Sequence, residues 1–361
     1  MKVVVGMSGG IDSSVVLLLL KEQGVTPVGV TLTMRPCPDC ATCERDESAA
    51  AASAVARQQE VEHHIVDVSR DFESKVLRSC WDDIQKGRTP NPCIVCNAHI
   101  KFPALLAFAD AIGAPCVATG HYARISEAGL RKGVDAQKDQ SYFLCALAPS
   151  LYPRIRFPLG DTTKAHVRER ARMAGLANAE QPESQDLCPA VSSSSKTHFA
   201  EELRVRFGDA AVPGDICDAE GNVLVRHQGY HVFTRGQYHG LGIATARGEA
   251  KTRFAGKRVR VTTVDPATAR VTVSADPEAL MSQGCKVGGF RWLLPGAPSQ
   301  DELTCQTRYH GAHVPCTVSM TPDGGAAVRF ATAQNMVTPG QYLAVYQGDT
   351  LVGMGAIESN I

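Results

Sequence analysis

A glycine- and serine-rich string directly after the first apolar run constrains the fold of this chain more than any other feature. Residues 8–14 read Ser-Gly-Gly-Ile-Asp-Ser-Ser, between a strand expected at Lys2–Met7 and a helix expected at Ser13–Glu22. The glycines allow backbone N–H groups to turn toward an anion, and the start of the following helix adds positive potential. No lysine follows the glycines, which excludes a Walker A loop, and the spacing differs from the dinucleotide-binding fingerprint. The string therefore predicts a phosphate-binding loop of another type.

The polar side chains of this string add to the prediction. Ser8, Ser13 and Ser14 offer hydroxyl donors to a phosphate. Asp12 would repel a phosphate unless a Mg²⁺ ion lies between the two groups, or unless its carboxylate caps the helix. The sequence leaves both explanations of Asp12 open.

Strand and helix patterns alternate through the first half of the chain. The expected elements after the first helix are, in chain order, strand Val28–Leu32, helix 46–60, strand His64–Val68, helices 71–86 and 102–112, strand Cys116–Thr119 and helix 164–175. This alternation is typical of α/β proteins with a doubly wound parallel sheet. A hairpin is also expected at Gly129–Ala146.

The pattern changes after a four-serine run at Ser192–Ser195. Short strands separated by Gly, Pro and Asp turns follow, and they predict a small β-barrel at the C-terminal end. We therefore expect a doubly wound domain over residues 1–195, a small central domain over residues 196–258 and a C-terminal β-barrel over residues 259–361.

The charge of the chain is balanced overall but uneven along its length. The 37 Lys and Arg residues equal the 37 Asp and Glu residues, yet Arg226–Arg260 contains eight basic residues and one acidic residue, Glu249. Such a segment can follow nucleic-acid phosphates, or it can be an ordinary solvated face. No apolar run approaches the roughly 20 residues of a membrane span, and no signal-peptide pattern is evident. We expect a cytoplasmic protein without a membrane partner.

Thirteen cysteines, an odd number, indicate metal or catalytic chemistry rather than a disulfide framework in a reducing compartment. Cys37, Cys40 and Cys43 form two overlapping Cys-x-x-Cys units. They suit a structural Zn²⁺ ion or an iron–sulfur centre with a distant fourth ligand such as Cys80 or His63, or they are a loop of exposed thiols. Most of the remaining cysteines lie among apolar neighbours, where core packing is expected.

A second set of cysteines lies closer to the expected active-site loops. Cys93 and Cys96 follow a proline-rich loop near a helix start, where the helix dipole favours a thiolate. Cys188 lies between an expected helix and the serine run. These three cysteines are candidates for nucleophilic chemistry.

Several separated motifs together resemble the bacterial tRNA-specific 2-thiouridylase family of the ATP pyrophosphatase superfamily. The resemblance covers nearly the whole chain. The matching segments are residues 6–14, 87–97, 100–102, 118–122, 138–142, 184–188, 213–216, 236–237, 240–242, 308–309 and 338–341. The resemblance implies that ATP, with Mg²⁺, adenylates the C2 oxygen of the wobble uridine of tRNA and that sulfur then attacks C2 and displaces AMP to give 2-thiouridine.

The resemblance also implies roles for individual residues. Cys188 corresponds to the persulfide carrier, and Cys96 to the second catalytic cysteine, which releases the sulfur by forming a disulfide. The positions that correspond to ATP contacts are Gly6, Met7, Ser8, Gly9, Gly10, Ile11, Asp12, Ser13, Leu32 and Gly120. The positions that correspond to tRNA contacts are Asn91, Pro92, Cys93, Lys138, Asp139, Gln140, Arg308 and Tyr309. The implied sulfur source is a donor protein (a cysteine desulfurase or persulfide relay) or inorganic sulfide.

One departure from the family pattern opens a second chemical route. The family usually carries Asp where this chain has Cys93, and Leu32 replaces a usual Met. Cys93, Cys96 and Cys188 together could hold a 4Fe–4S cluster, because three thiolates leave one iron open for a sulfide. The persulfide route and the cluster route both remain open at this point.

Two other functions compete with tRNA thiolation. Another adenylating ligase of the same fold would use ammonia or an amino acid and would need neither Cys96 nor Cys188. A non-enzymatic metal or redox sensor would use the cysteine clusters alone, although the intact phosphate-loop string speaks against it.

Overall fold

We describe the protein from a computed structural model, which covers residues 1–34, 47–180, 199–243, 254 and 256–361. The N-terminal domain contains strands β1 (Lys2–Gly6), β2 (Thr26–Thr33), β3 (His63–Asp67), β4 (Val117–Thr119), β5 (Ala123–Ser126), β6 (Gly129–Lys132) and β7 (Ile155–Arg156). Its helices are α1 (Ile11–Glu22), α2 (Glu47–Gln58), α3 (Ser69–Phe72), α4 (Arg78–Gln85), α5 (Pro92–Cys96), α6 (Phe102–Ala111) and α7 (Lys164–Met173). The π-helical turns Glu73–Leu77 and Asn97–Lys101 join α3 to α4 and α5 to α6.

The first sheet is parallel and is covered on both faces. Its strand order within the described residues is β3-β2-β1-β4-β7. In β1 the side chains alternate: Val3 and Val5 join a core with Val16 of α1, and Val4 joins a core with Leu105 of α6. This two-sided burial is what a doubly wound parallel sheet requires, so the predicted fold class is confirmed.

The expected hairpin at Gly129–Ala146 is wrong in its bounds. The hairpin is formed by β5 and β6, with Gly129 at a positive φ of 105°. The chain after Lys132 cannot continue the ladder, because Asp139 accepts hydrogen bonds from the backbone N–H groups of Gly133 and Ser141. Residues Ser141–Leu144 then form a 3₁₀ turn.

The central region consists of helix α8 (Phe199–Phe207) and strands β8 (Gly214–Cys217), β9 (Val223–His227), β10 (Arg260–Asp265) and β11 (Arg270–Ser274). Its sheet has the order β10-β11-β8-β9, and β11 pairs with β8 in parallel. The boundary expected at residue 258 would cut β10 and β11 from the sheet to which they pair. We therefore propose that the central domain ends between Ser274 and Met281.

The C-terminal domain is a closed antiparallel barrel. Its strands are β12 (Met281–Trp292), β13 (Leu303–Gln306), β14 (Val314–Met320), β15 (Ala326–Asn335), β16 (Tyr342–Gln347) and β17 (Thr350–Asn360). The order is β12-β15-β14-β13-β16-β17, and β12 pairs with β17 to close it. Hairpin β5–β6 of the N-terminal domain joins the barrel, because Arg131 pairs with Thr350 of β17.

The continuous helix Pro92–Ala111 is long and apolar enough to cross a membrane, and it is the one such helix among the described residues. Half of its most apolar window is buried in the protein. Phe102, Leu105 and Leu106 pack into the core beside the sheet. These contacts are those of a core helix.

Candidate active site

The phosphate loop lies where the strand order of the sheet reverses. The chain runs from β1 outward to β2 and β3, and then returns to place β4 on the other side of β1. In open parallel sheets, ligands bind beyond the carboxyl ends of the strands at such a point. Ser8 is exposed and Gly10 and Asp12 are partly exposed, whereas Met7, Ile11 and Ser13 are buried. Residues 8, 10 and 12 therefore present the loop to a ligand.

Close packing fixes the shape of the loop. Gly9 has a φ of +76°, and a Cβ there would lie 2.8 Å from the Ala51 Cβ and 2.9 Å from the Ser48 carbonyl oxygen of α2. A Cβ at Gly120, beyond β4, would lie 3.0 Å from the Asp12 Cβ. Glycine is needed at both positions because neighbouring backbone and side chains leave no room for a larger residue.

Two of the three serine hydroxyls, those of Ser13 and Ser14, hold the loop itself, and the expected role of the serines as phosphate donors stays a prediction. Ser13 Oγ and Ser14 Oγ each donate to the Gly10 carbonyl oxygen at 3.0 Å. Asn178 Nδ2 donates to the Gly9 carbonyl oxygen and to Ser14 Oγ, at 2.8 Å each. The buried Asn178 is a loop-holding residue that the sequence analysis missed.

Asp12 makes an ion pair with a lysine distant in sequence. Lys164 Nζ lies 2.6 and 2.7 Å from the two carboxylate oxygens, and the Tyr122 hydroxyl donates to Oδ1 at 2.8 Å. No side-chain hydrogen bond caps α1, so the capping explanation of Asp12 is wrong. The Lys164 side chain is only 9% exposed, which places a buried cation beside the phosphate loop.

The sequence did carry a signal for Lys164. The residue occupies the first turn of α7, after the capping residue Thr163. A cation at this end of a helix opposes the helix dipole, so it needs a nearby anion. Asp12 is that anion in the structure.

The other expected ATP contacts surround this loop. Gly6 ends β1, where a Cβ would lie 2.9 Å from Leu105 Cδ1. Leu32 lies half-buried near the end of the adjacent strand β2. His121, next to Gly120, lies between the Phe102 and Phe157 rings, and burial holds its pKa well below the usual range. A neutral His121 supports a structural or contacting role.

The candidate cysteines Cys93 and Cys96 lie on one short helix. Asn91 caps α5 by accepting a hydrogen bond from Ile94 N at 3.3 Å, and Pro92 occupies the first turn. Cys93 is half-buried and Cys96 is buried. Because residues three apart share a helix face, their side chains leave the helix on the same side.

The remaining cysteine predictions have different outcomes. The metal set Cys37, Cys40 and Cys43 and the carrier Cys188 lie outside the described residues. Within the described ranges, no group of three Cys, His, Asp or Glu residues could hold a metal ion. Burial, followed by Asp83 and Cys93, raises the pKa of the Cys80 thiol, which disfavours the thiolate that a metal needs. The core prediction is confirmed for Cys80, Cys116, Cys145, Cys217, Cys285, Cys305 and Cys316, which are all buried.

The expected tRNA-contacting segment 138–140 is tied into the fold beside the loop. Asp139 accepts from Ser141 Oγ at 2.8 Å, and Gln140 Oε1 accepts from Tyr122 N at 3.1 Å. Tyr122 is also the partner of Asp12. These side chains thus connect the segment that starts at Lys138 to the phosphate loop.

Phe143 links the barrel residue Tyr309 to the end of the cysteine helix. Its ring lies 4.2 Å from the Phe143 ring, and the Phe143 carbonyl oxygen accepts from Asn97 Nδ2 at 3.0 Å. Asn97 directly follows Cys96. The structure therefore brings the Arg308–Tyr309 motif and the cysteine helix into one neighbourhood.

Family comparisons agree with the three-domain architecture. Models described as the tRNA methyl transferase HUP domain, the tRNA methyl transferase PRC-barrel domain and the aminomethyltransferase beta-barrel domain match residues 1–191, 204–275 and 282–357.

Two relatives that are similar over their full length carry the same protein name. The chain is 38% identical to the tRNA-specific 2-thiouridylase MnmA of Geotalea uraniireducens, over 99% of this chain and 95% of that protein. It is 37% identical to the enzyme of the same name from Carboxydothermus hydrogenoformans, over 100% of this chain and 98% of that protein. On this full-length similarity and the matching domain models, the chain belongs to the tRNA-specific 2-thiouridylase family.

Proposed function

We propose that this chain uses ATP to convert the wobble uridine of tRNA into 2-thiouridine. The observation that carries the proposal is the phosphate loop with its Asp12–Lys164 pair, in the same domain as the Cys93–Cys96 helix. One domain thus offers a site at which ATP can activate an oxygen of the base, and it also offers thiols that can deliver the sulfur that replaces this oxygen. We place the reaction in the cytoplasm, where tRNA is found.

The first step is adenylation of the base. The uridine O2 attacks the α-phosphorus of ATP, the bond to the β-phosphate oxygen breaks, and pyrophosphate leaves. Backbone N–H groups of residues 8–10 and the start of α1 bind phosphate oxygens, and Lys164 neutralises developing negative charge. Asp12 fits Mg²⁺, which commonly binds through one carboxylate and substrate phosphates.

The second step replaces the activated oxygen by sulfur. In the persulfide route, the terminal sulfur on Cys188 attacks C2, and AMP leaves with the former O2. The Cys96 thiolate attacks the Cys188 sulfur, which leaves the transferred sulfur on C2 and a Cys96–Cys188 disulfide. An external thiol must reduce that disulfide before the next turnover.

Cys93 supports a second route for the same step. With Cys96 and Cys188 it would hold a 4Fe–4S cluster, which would supply sulfide chemistry when bound. Cys93 and Cys96, two of the three ligands that this route needs, lie on α5. Their spacing of three residues suits two neighbouring ligands of one cluster. Both routes use Cys96 and Cys188, and only the cluster route requires Cys93.

The tRNA would contact basic side chains of the central domain. Lys257 and Arg258 are exposed, and the guanidinium groups of Arg258 and Arg260 lie 4.8 and 5.0 Å from the centroid of the Tyr238 ring. Cationic and aromatic groups together suit nucleic-acid backbones and bases. Arg247, Lys251 and Arg253 of the same basic segment lie outside the described residues.

The proposal is tested by anaerobic assays of 2-thiouridine in unmodified tRNA, with ATP, Mg²⁺ and either sulfide or a persulfide donor. We expect Cys96→Ala to abolish 2-thiouridine formation while tRNA-dependent pyrophosphate release continues. Cys217→Ala is the matched control, because Cys217 is buried in the separate central sheet. Full product formation by Cys96→Ala would exclude the proposed chemistry.

Cys93→Ala distinguishes the routes in the same assay. Loss of 2-thiouridine and of bound iron in this variant supports the cluster route. Wild-type activity in this variant supports the persulfide route. An adenylating ligase that uses ammonia or an amino acid would instead keep full activity in both cysteine variants.

A further inference from the structure

The barrel turn Thr338–Gln341 has no role in the chemistry above, yet its last side chain leaves the barrel. The Gln341 backbone is fixed to β17, because Ile357 N donates to the Gln341 carbonyl oxygen at 2.8 Å. Gln341 Nε2 donates to the carbonyl oxygens of Thr89 and Pro90 at 2.9 and 3.2 Å. The barrel therefore holds the loop that leads into the cysteine helix.

The same amide controls the capping residue of that helix. Gln341 Oε1 accepts from Asn91 Nδ2 at 3.2 Å, while Asn91 Oδ1 accepts from Ile94 N at 3.3 Å. The nitrogen and oxygen of an amide share one rigid plane, so a partner on Nδ2 fixes where Oδ1 points. Gln341 thus sets the orientation of the Asn91 cap.

Close backbone packing makes this contact stiff. Thr89 N donates to the Pro339 carbonyl oxygen at 2.8 Å. Gly340 has a φ of +91°, and a Cβ there would lie 2.8 Å from both N and O of Thr89. The Thr89 hydroxyl also hydrogen-bonds to the hydroxyl of Thr234 in the central domain. All three domains meet at Thr89, immediately before the cysteine helix.

We propose that Gln341 is a positioning residue that orients Asn91 and the start of the cysteine helix for sulfur transfer. The inference rests on the proposed function of Cys93 and Cys96. A contact that served only to attach the barrel would affect stability and tRNA affinity. A positioning contact changes the maximal rate of sulfur transfer and the reactivity of the Cys93 thiol.

The test compares Gln341→Glu and Gln341→Met with the wild-type full chain. Glutamate directs a carboxylate oxygen at two carbonyl oxygens, and methionine keeps the volume but cannot donate. Gln334→Glu is the matched control, since among the described residues Gln334 Nε2 donates to Thr332 and Ala333 of its own barrel segment. The measurements are kcat and KM for 2-thiouridine formation, melting temperature, and iodoacetamide labelling of Cys93 followed by peptide mass spectrometry.

We expect both Gln341 variants to lose about tenfold in kcat, the effect of leaving hydrogen-bond partners unpaired. The labelling rate of Cys93 should change about threefold or more at a temperature where both variants stay folded, while Gln334→Glu matches the wild type. If Glu at position 341 prevents folding, the Met variant gives the decision. Wild-type kcat and labelling in a folded Gln341 variant would overturn the inference. If the wild type itself makes no 2-thiouridine, the proposed function fails, and labelling still decides whether Gln341 positions Cys93.

Discussion

At the scale of single residues, the ion pair between the buried Lys164 and the partly exposed Asp12 sets the charge beside the phosphate loop. Asp12 alone would repel a triphosphate, whereas the pair has no net charge. Under the proposed function, Mg²⁺ at the Asp12 carboxylate would leave a phosphate as the alternative partner of Lys164, and the pair would then suit a metal–nucleotide complex.

Replacing Lys164 by Met should reduce ATP-dependent pyrophosphate release by about a hundredfold, the usual effect of losing a preorganised group that stabilises transition-state charge. The measurement is pyrophosphate release at saturating ATP and tRNA. Lys75→Met is the control, because Lys75 makes a similarly short contact of 2.7 Å to Asp71 on an exposed helix surface. Equal rates for the two variants would remove Lys164 from the adenylation site.

Sequence reasoning found the local part of this site and missed the distant part. Strand, glycines and helix follow one another within residues 2–22, so their pattern is readable in one window. Lys164 lies 152 positions from Asp12, and Asn178 lies 169 positions from Gly9. The Lys164 contact arises from the packing of α7 against α1, and Asn178 lies in the segment after α7. No local pattern specifies which residues these elements bring to the loop.

At the scale of elements, a charged cluster holds helix α8 to the segment that follows β9 within the central domain. Glu201 accepts hydrogen bonds from Arg204 at 2.7 Å and from His231 Nε2 at 2.6 Å. These donors, Arg204 first, lower the pKa of Glu201 from 4.5 to about 2. The folded state therefore favours the carboxylate form.

The pKa shift of Glu201 predicts how stability depends on pH. A lowered folded-state pKa stabilises the protein fully above pH 4.5, and that contribution disappears as the pH falls toward 2. Glu201→Gln should therefore unfold at a lower urea concentration than the wild type at pH 7. The difference between the two midpoint urea concentrations should shrink as the pH falls from 4.5 to about 2. Glu127→Gln, in the exposed turn between β5 and β6, is the control. A difference that stays constant with pH would contradict the assignment.

The bounds of the hairpin could not be predicted from the sequence. The range Gly129–Ala146 that was expected to form a hairpin includes Tyr142, Phe143 and Leu144, whose aromatic and aliphatic side chains also suit a strand. In the structure they form a 3₁₀ turn in which Tyr142 is fully buried. Burial of these residues depends on contacts with the barrel, such as the hydrogen bond from the Tyr142 hydroxyl to the Tyr342 carbonyl oxygen at 2.9 Å. The local pattern could not distinguish the two conformations.

At the scale of the whole molecule, the N-terminal domain and the barrel share one continuous sheet. The β5–β6 hairpin extends the barrel edge, and Asp349 of the barrel accepts hydrogen bonds from Arg124 and Arg131, at 2.7 Å to each Nη2. The Asp349 carbonyl oxygen also accepts from Lys132 N at 2.8 Å. The domains were predictable as separate patterns, but this joint was not, because it pairs strands more than 200 residues apart.

Asp349→Asn should loosen this joint without unfolding either domain. Asparagine keeps the size of the side chain but removes the charge that pairs with two guanidinium groups, and exposed charge pairs of this kind contribute only modestly because solvent screens them. We expect amide hydrogen exchange in residues 129–132 to accelerate by about threefold, while exchange in the barrel core stays unchanged. Asp110→Asn is the control, because Asp110 pairs with Arg154 at 2.5 Å within the N-terminal domain alone. If Asp349→Asn exchanges like this control, the shared sheet and its backbone hydrogen bonds hold the domains together without the charges. If it accelerates as expected, the arginine pair is part of the joint that keeps the barrel motif Arg308–Tyr309 beside the cysteine helix.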